Sequence, residues 1–229
     1  MELLNDLSTN PEIVLTENSL LYRCRVLSQG SKINAEEGFY GYGSKDSFVA
    51  PAEKTKDMRA NYKYIPYLYC SNDPYVAMVE VRPRLSARVS IATIKVESDL
   101  TLLDLMISKV PHSMKGPKKN LLCDLSYAFS KPVEYDDETM DYIPTQYIAE
   151  YVKYLQYDGI VYRSSLIPEI NRENVMAVDS YNVVIFNYEK CRPIRSNVFQ
   201  ITGQHMESHQ IDNDENRLNV EIPILRMSF

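Results

Sequence analysis

Strand-like runs alternate with helical patterns along this chain, and the alternation restricts its possible folds more than any other feature. The strand-like runs are residues 19–26, 65–71, 89–96, 100–105, 159–163 and 181–186, and the helical patterns are residues 74–80, 120–130 and 143–155. Short apolar runs interleaved with amphipathic helices are typical of mixed sheets. We therefore predict an α/β domain of the mixed α+β type, with a central mixed β-sheet flanked by helices.

The length of the chain favours one domain. A chain of 229 residues with 45% hydrophobic residues is long enough to bury one sizeable core. We predict an N-terminal lead-in over residues 1–18, one folded domain over residues 19–190, and a polar C-terminal extension over residues 191–229. The extension ends in an apolar run at residues 220–225, which is a candidate late strand or docked tail.

The charge and the cysteines exclude several classes of protein. A net charge of −6 and a pI near 5.2 give no attraction to nucleic acid or to anionic membranes, so neither is predicted as a partner. The four cysteines form no CxxC pair and only three histidines are present, so we predict no metal site and no disulfide framework. No apolar run approaches the roughly 20 residues of a membrane helix, and we predict a cytoplasmic protein.

Glu80 is an unusual residue for its position. It follows Val76 and Ala77 at helical spacing, so the pattern places its side chain on the apolar stripe of a short helix. A lone buried carboxylate is costly unless it has a partner or a chemical role. The alternative is a solvent-facing residue that pairs with Arg82 or Arg84.

Five segments in order resemble the RES family, which is named after an arginine, a glutamate and a serine. The segments are LYRCR at 21–25, RANYKYIPYLYCS at 59–71, AMVEVRP at 77–83, YIPTQYIAEYVKYLQYDGIVYRSS at 142–165 and NVVIF at 182–186. The resemblance implies a fold like that of ADP-ribosyltransferases. Several members of the family are toxins of toxin–antitoxin pairs that consume NAD⁺ by hydrolysis or phosphorolysis. A few related members instead ADP-ribosylate a protein, so the resemblance implies one of these activities.

The resemblance implies six site residues. Arg23, Glu80 and Ser164 take the catalytic positions, and Arg59, Tyr69 and Ser165 take substrate-binding positions, with Ser165 a rival of Ser164 for the family serine. The family pattern usually has a glycine before the loop arginine, and a proline and a glycine after it. This sequence has Met58, Tyr62 and Tyr64 in those places.

Each implied role has a physical reason and an ordinary alternative. A carboxylate at Glu80 would stabilise the positive charge that develops on ribose, and the two arginines would meet the diphosphate as planar forks. Tyr69 would stack on nicotinamide or bind a ribose hydroxyl. Ser164 would donate a hydrogen bond to a ribose hydroxyl or to the carboxamide of nicotinamide. The alternatives are ion pairs or solvated charges for the arginines, core packing for Tyr69 and a turn for the serines.

The resemblance therefore implies an NAD⁺-degrading enzyme, a glycohydrolase or a phosphorylase, that acts as the toxin of a toxin–antitoxin pair. NAD⁺ would be its substrate, and no cofactor is predicted. Inorganic phosphate is a second substrate in the case of phosphorolysis, and a protein antitoxin is the predicted partner. Two other functions stay open: a mono-ADP-ribosyltransferase acting on a protein, and a binding module without catalysis.

Overall fold

The structure is a computed structural model, and it describes residues 11–27, 42–43, 46–106, 116–131, 139–167, 180–203, 205–206 and 227–228. The strands are β1 (Glu12–Leu15), β2 (Leu20–Val26), β3 (Leu68–Ser71), β4 (Arg88–Val96), β5 (Leu100–Asp104), β6 (Gly159–Arg163), β7 (Tyr181–Ile185), β8 (Cys191–Gln200), β9 (His205–Met206) and β10 (Met227–Ser228). The helices are α1 (Pro74–Glu80), α2 (Pro117–Ser130) and α3 (Ile143–Tyr154).

Eight of the described strands form one mixed sheet, in the order β1-β5-β6-β7-β3-β2-β4-β8. Strands β5 and β6 run parallel, and the other neighbours in this sheet are antiparallel. Parallel neighbours need a long crossover, and the chain between β5 and β6 supplies it with α2 and α3. Strands β9 and β10 pair with each other separately. The mixed sheet and its helices confirm the predicted fold class.

Each of the three α-helices that the structure describes begins with a proline in its first turn: Pro74 in α1, Pro117 in α2 and Pro144 in α3. Proline fits there because the first N–H groups of a helix have no partner within the helix. Asp73 also caps α1, since its carboxylate accepts hydrogen bonds from two backbone N–H groups of the first turn. Within the described part of the chain, no helix is both long and apolar enough to cross a membrane.

Apolar side chains pack on both faces of the sheet. On one face, helices α2 and α3 bury residues such as Phe129 and Val152 against Ile160 and Val184 of the sheet. On the other face, Leu68, Ile94, Leu102 and Val183 form a second layer, which Phe48 and Val49 partly cover. The central strands are therefore apolar on both faces, which explains their nearly continuous hydrophobic runs.

The two edge strands of the sheet lie outside the predicted domain of residues 19–190. β1 pairs with β5, so four residues of the predicted lead-in belong to the sheet. β8 pairs with β4 from Cys191 to Gln200, so the start of the predicted extension also belongs to it. The structural domain is thus wider than the sequence-based boundaries at both ends. Residues 220–225, a predicted strand or tail, lie outside the described residues.

Gly159→Ala should destabilise the fold, because Gly159 has no room for a side chain. A Cβ at this position would lie 2.2 Å from the Val184 carbonyl oxygen and 2.9 Å from Leu102 Cδ2. The strand backbone must shift to relieve such contacts, and overpacking of this kind costs about 1–3 kcal/mol. Denaturant unfolding followed by circular dichroism measures the change. An unfolding midpoint equal to that of the parent would show that β6 and β7 are not packed as described.

Candidate active site

A cavity of about 690 Å³ opens where β2 and β3 diverge. Tyr22 and Ser71 form a single registered pair between these strands in the described chain, and the residues on one side of that pair line the cavity: Arg23 and Cys24 after Tyr22, and Tyr69 and Cys70 before Ser71. The remaining walls come from β6, β7, α1, the segment 54–61 and the end of α2. The volume lies in the range of about 300–1,000 Å³ that is common for small-molecule sites.

A row of polar side chains crosses four strands at the wall of this cavity. Tyr22 of β2 pairs with Ser71 of β3, Ser71 pairs with Asn182 of β7, and Asn182 pairs with Tyr162 of β6. Registered neighbours in antiparallel strands lie on the same face of the sheet. All four residues line the cavity, so the row marks where the apolar layer ends and the site begins.

Glu80 lies at the end of α1, and its carboxylate faces the polar row. Its Oε1 accepts a hydrogen bond from Ser164 Oγ at 2.6 Å and another from Asn182 Nδ2 at 2.7 Å. Both donors are neutral, so they hold the carboxylate in place without cancelling its charge. Val76 and Ala77, which the sequence pattern places on the same side of the helix as Glu80, are buried. Glu80 itself is half-buried at the cavity wall.

Tyr162 extends the same wall. Burial, together with the negative charge of Glu80, raises the pKa of its phenol, and its ring packs against Phe129 of α2 at a centroid distance of 5.7 Å. The phenol therefore stays neutral beside the carboxylate. It gives the cavity an apolar surface on the side of α2.

Arg23 lies in the gap between β2 and β3 with little to offset its charge. Its Nη1 donates to the Tyr69 carbonyl oxygen at the long distance of 3.4 Å, and its buried Nε has no hydrogen-bond partner in the described structure. Burial lowers the pKa of the guanidinium, yet an arginine stays charged at neutral pH. A buried donor without a partner is costly, so this side chain is suited to receive an anion.

The hydroxyl of Tyr69 is already engaged within the protein. It donates to Asn61 Oδ1 at 2.6 Å and accepts from the backbone N–H of Ala60 at 3.2 Å, while burial raises the pKa of the phenol. Of the two predicted roles, the hydrogen bond to a ribose hydroxyl competes with these contacts. The ring, which lines the cavity, is compatible with stacking.

Arg59 is held against the end of α2 in this structure. Its Nη1 donates to the carbonyl oxygens of Ala128 and Phe129, both at 2.7 Å, and its Nη2 donates to that of Lys131. A cation at this position stabilises the negative end of the helix dipole. Arg59 lines the cavity, but three of its N–H groups bind the last turn of α2 and the following residue, Lys131, instead of pointing into a ligand site.

The turn that carries Arg59 is fixed without the glycines and proline of the family pattern. Met58 and Asn61 form a two-residue hairpin bridge, and the buried Gln146 of α3 donates to both of their carbonyl oxygens at 2.9 Å. Asn61 Nδ2 adds bonds to two further carbonyl oxygens of the loop. Side-chain amides thus define the backbone path here.

The two candidate serines occupy different environments. Ser164 is buried, and its hydroxyl binds Glu80. Ser165 lines the cavity but is exposed.

Arg25, two residues after Arg23, lies away from the cavity lining. It stacks over the Tyr42 ring at 4.2 Å and donates to the Asp46 carbonyl oxygen.

Comparison with known families identifies the family of this chain. The family model described as the RES domain matches residues 22–202, which is most of the chain. The chain belongs to the RES domain family. No curated protein matches it significantly. A solved structure that is similar to this RES domain is the M. tuberculosis MbcT–MbcA toxin–antitoxin complex, with 14% sequence identity, a TM-score of 0.48, and coverage of 86% of this chain and 91% of that chain.

In this RES domain, Glu80 and Arg23 line one cavity, and Ser164 binds Glu80 from behind the lining. The structure also adds polar residues that the sequence analysis did not select. Asn182 and Ser71 belong to the polar row, and Ser130 has a buried hydroxyl without a hydrogen-bond partner in the described structure. An asparagine at the start of the apolar strand 181–186 was the available signal. A buried amide in such a strand needs hydrogen-bond partners, which points to a polar site.

Proposed function

We propose that this RES domain cleaves the bond between nicotinamide and ribose in NAD⁺. The observation that carries the proposal is the Glu80 carboxylate, held by Ser164 and Asn182 in the same cavity as the poorly compensated Arg23. The carboxylate suits a developing cation, and the guanidinium suits an anion. NAD⁺ offers both, since its ribose becomes cationic during cleavage and its diphosphate is negative.

The reaction needs a fixed negative charge more than it needs a proton donor. When the C–N bond breaks, its electron pair goes to the ring nitrogen, and nicotinamide leaves as a neutral molecule without being protonated. The remaining ribosyl group carries positive charge, which a preorganised carboxylate stabilises much better than water does. Water or inorganic phosphate then forms the new bond to the same carbon, and water releases one proton as it does so.

The cavity lining is more basic than the protein as a whole. The lining cations are Arg23, Lys54, Lys56, Arg59, Arg82, Lys131 and Arg163, and the lining carboxylates are Asp57 and Glu80. On a chain with a net charge of −6, this local excess attracts an anionic dinucleotide. It supports a site in which Arg23 binds the diphosphate.

The experiment that tests the proposal follows nicotinamide release from NAD⁺, with and without inorganic phosphate, and identifies the ADP-ribosyl product by mass. We expect nicotinamide release. A phosphorylated product that appears only with phosphate identifies a phosphorylase, ADP-ribose identifies a hydrolase, and label on protein identifies a transferase. If the purified protein releases no nicotinamide under any of these conditions, the proposal is refuted.

The partner proposal follows from family membership. A protein antitoxin should cover the cavity in the cytoplasm, because free cleavage of NAD⁺ would harm the cell that makes the enzyme. Co-expression with the adjacent reading frame should give a stable, inactive complex on purification. Recovery of an active enzyme alone, from cells that grow normally, would contradict it.

Ser164→Ala should reduce NAD⁺ cleavage, whereas Ser165→Ala should change it by less than about twofold. Ser164 supplies one of the two hydrogen bonds that hold Glu80, while Ser165 is exposed. A hydrogen bond to a charged group contributes about 1.5–3 kcal/mol, so we expect a loss of roughly tenfold or more for Ser164→Ala. Initial rates of nicotinamide release measure both variants. A larger loss for Ser165→Ala would assign the family serine to Ser165.

A further inference from the structure

A chain of hydrogen bonds leads from the sheet to Glu80. Ser71 Oγ donates to Asn182 Oδ1 at 2.7 Å, and Asn182 Nδ2 donates to Glu80 Oε1 at 2.7 Å. An ionised carboxylate only accepts hydrogen bonds, so the amide must turn its nitrogen toward Glu80. Its oxygen then faces Ser71, and the serine must donate. The charge of Glu80 thus determines the direction of both bonds.

Ser71 and Asn182 are better fixed than the Glu80 carboxylate, to which Asn182 donates directly and Ser71 does not. Ser71 and Asn182 are buried and form a registered pair on neighbouring strands β3 and β7. Glu80 is half-buried and is the last residue of α1, a helix of seven residues. A glutamate has three side-chain torsions, so contacts from a rigid sheet can select one of its orientations.

We propose that Ser71 and Asn182 are positioning residues for Glu80, with Ser71 acting through Asn182. This inference rests on the proposed function, in which Glu80 faces the ribose carbon at which NAD⁺ is cleaved. In the resting enzyme, the chain of bonds holds the carboxylate where it is needed in the transition state. Such preorganisation affects the chemical step more than the binding of substrate.

The positions of these residues also suggest a competing role, in which Asn182 binds the substrate directly, since it lines the cavity. The two roles differ in kinetics. A positioning residue lowers kcat with little change in KM, because its effect appears in the transition state. A residue that binds substrate and transition state equally raises KM and leaves kcat unchanged.

The test is a double-mutant cycle with Ser71→Ala, Asn182→Ala and the combined variant. We expect kcat to fall by about tenfold or more for Asn182→Ala and by about threefold to tenfold for Ser71→Ala, with KM within about twofold of the parent. Because Ser71 acts through Asn182, adding Ser71→Ala to Asn182→Ala should lower kcat no further. Additive losses, an unchanged kcat, or an effect on KM alone would overturn the proposal.

Ser90→Ala is the matched control. Ser90 is also a buried serine of this sheet, and its hydroxyl forms a 2.7 Å hydrogen bond with Ser196 Oγ outside the cavity lining. Ser90→Ala therefore makes the same chemical change at a similar burial. It should leave kcat unchanged, which separates positioning of Glu80 from a general loss of a buried hydrogen bond.

Crystal structures of the parent, Ser71→Ala and Asn182→Ala give a second measurement that needs no turnover. In Asn182→Ala we expect the Glu80 carboxylate to leave its position or to show alternative conformers, and in Ser71→Ala we expect the Asn182 amide to rotate. A carboxylate that stays in place in both variants would overturn the positioning role. If the parent releases no nicotinamide, the proposed function fails, and these structures still decide whether the two residues position Glu80.

Discussion

Glu80→Gln should lower kcat for NAD⁺ cleavage by about 10²–10³-fold, the usual effect of removing one preorganised electrostatic contact from a transition state. The substitution keeps the shape of the side chain, and the amide oxygen of glutamine can still accept hydrogen bonds from Ser164 and Asn182. What it removes is the negative charge that stabilises the ribosyl cation in the proposed reaction. Steady-state kinetics of nicotinamide release should show this loss in kcat with KM near that of the parent.

Glu150→Gln provides the matched control for this substitution. Glu150 is a glutamate of α3 that accepts a hydrogen bond from the Tyr67 hydroxyl, and it is outside the cavity lining. Its replacement also removes a charge and keeps an acceptor for Tyr67, but at a side chain that does not line the cavity. We expect near-parent kinetics. If Glu80→Gln cleaves NAD⁺ as fast as the parent and Glu150→Gln, the carboxylate has no catalytic role.

Arg23→Met should weaken NAD⁺ binding by roughly 10–100-fold, because charge-assisted hydrogen bonds to the diphosphate are lost. The same change should not lower the free energy of unfolding. In the free protein Arg23 has a buried Nε without a partner in the described structure and one long hydrogen bond, so its removal relieves a buried charge. Calorimetric titration of NAD⁺ in a Glu80→Gln background, where turnover is slow, measures the dissociation constant, and thermal unfolding measures stability.

Arg25→Met is the comparison for Arg23→Met. Arg25 lies on the same strand but binds the Asp46 carbonyl oxygen and the Tyr42 ring. Its loss should leave the dissociation constant unchanged and should reduce stability slightly. If NAD⁺ binds equally tightly to Glu80→Gln and to the double variant that also carries Arg23→Met, the diphosphate does not bind Arg23.

The central part of the fold could be predicted from the sequence because its elements carry strong local patterns. Strands β4, β6 and β7 are apolar on both faces, and short apolar runs of this kind are typical of buried strands. The Asp73-Pro74 pair marks the start of α1, and Pro144 marks the first turn of α3. In each case the residues that define the element lie within it.

The edge strands were missed because their patterns are weak. Most residues of β8 are exposed or half-buried, so the strand has no continuous apolar run. It also contains Pro193, which usually argues against a strand. The structure accommodates Pro193 at an edge, beside a register shift between Thr93 and Ile94 of β4, where a missing N–H costs little.

The candidate site was predictable only where the family pattern names a residue. The resemblance selected Glu80 and Ser164, and the structure brings these residues, 84 positions apart, within 2.6 Å of each other. Ser71 and Asn182 meet only because β3 and β7 are neighbours in this register, and local patterns do not reveal strand order. The contacts of Arg59 likewise depend on where α2 ends.

A crystal structure of Glu80→Gln with bound NAD⁺ tests the central claim most directly, because the slow variant should retain the intact dinucleotide. We expect the ribose carbon that bears nicotinamide to face the side chain at position 80, at roughly the 3–3.5 Å of a near-attack geometry. The diphosphate should contact Arg23 and the nicotinamide ring should lie against Tyr69. A dinucleotide bound outside this cavity, or bound in it with the diphosphate at position 80 and the nicotinamide remote from it, would contradict the account.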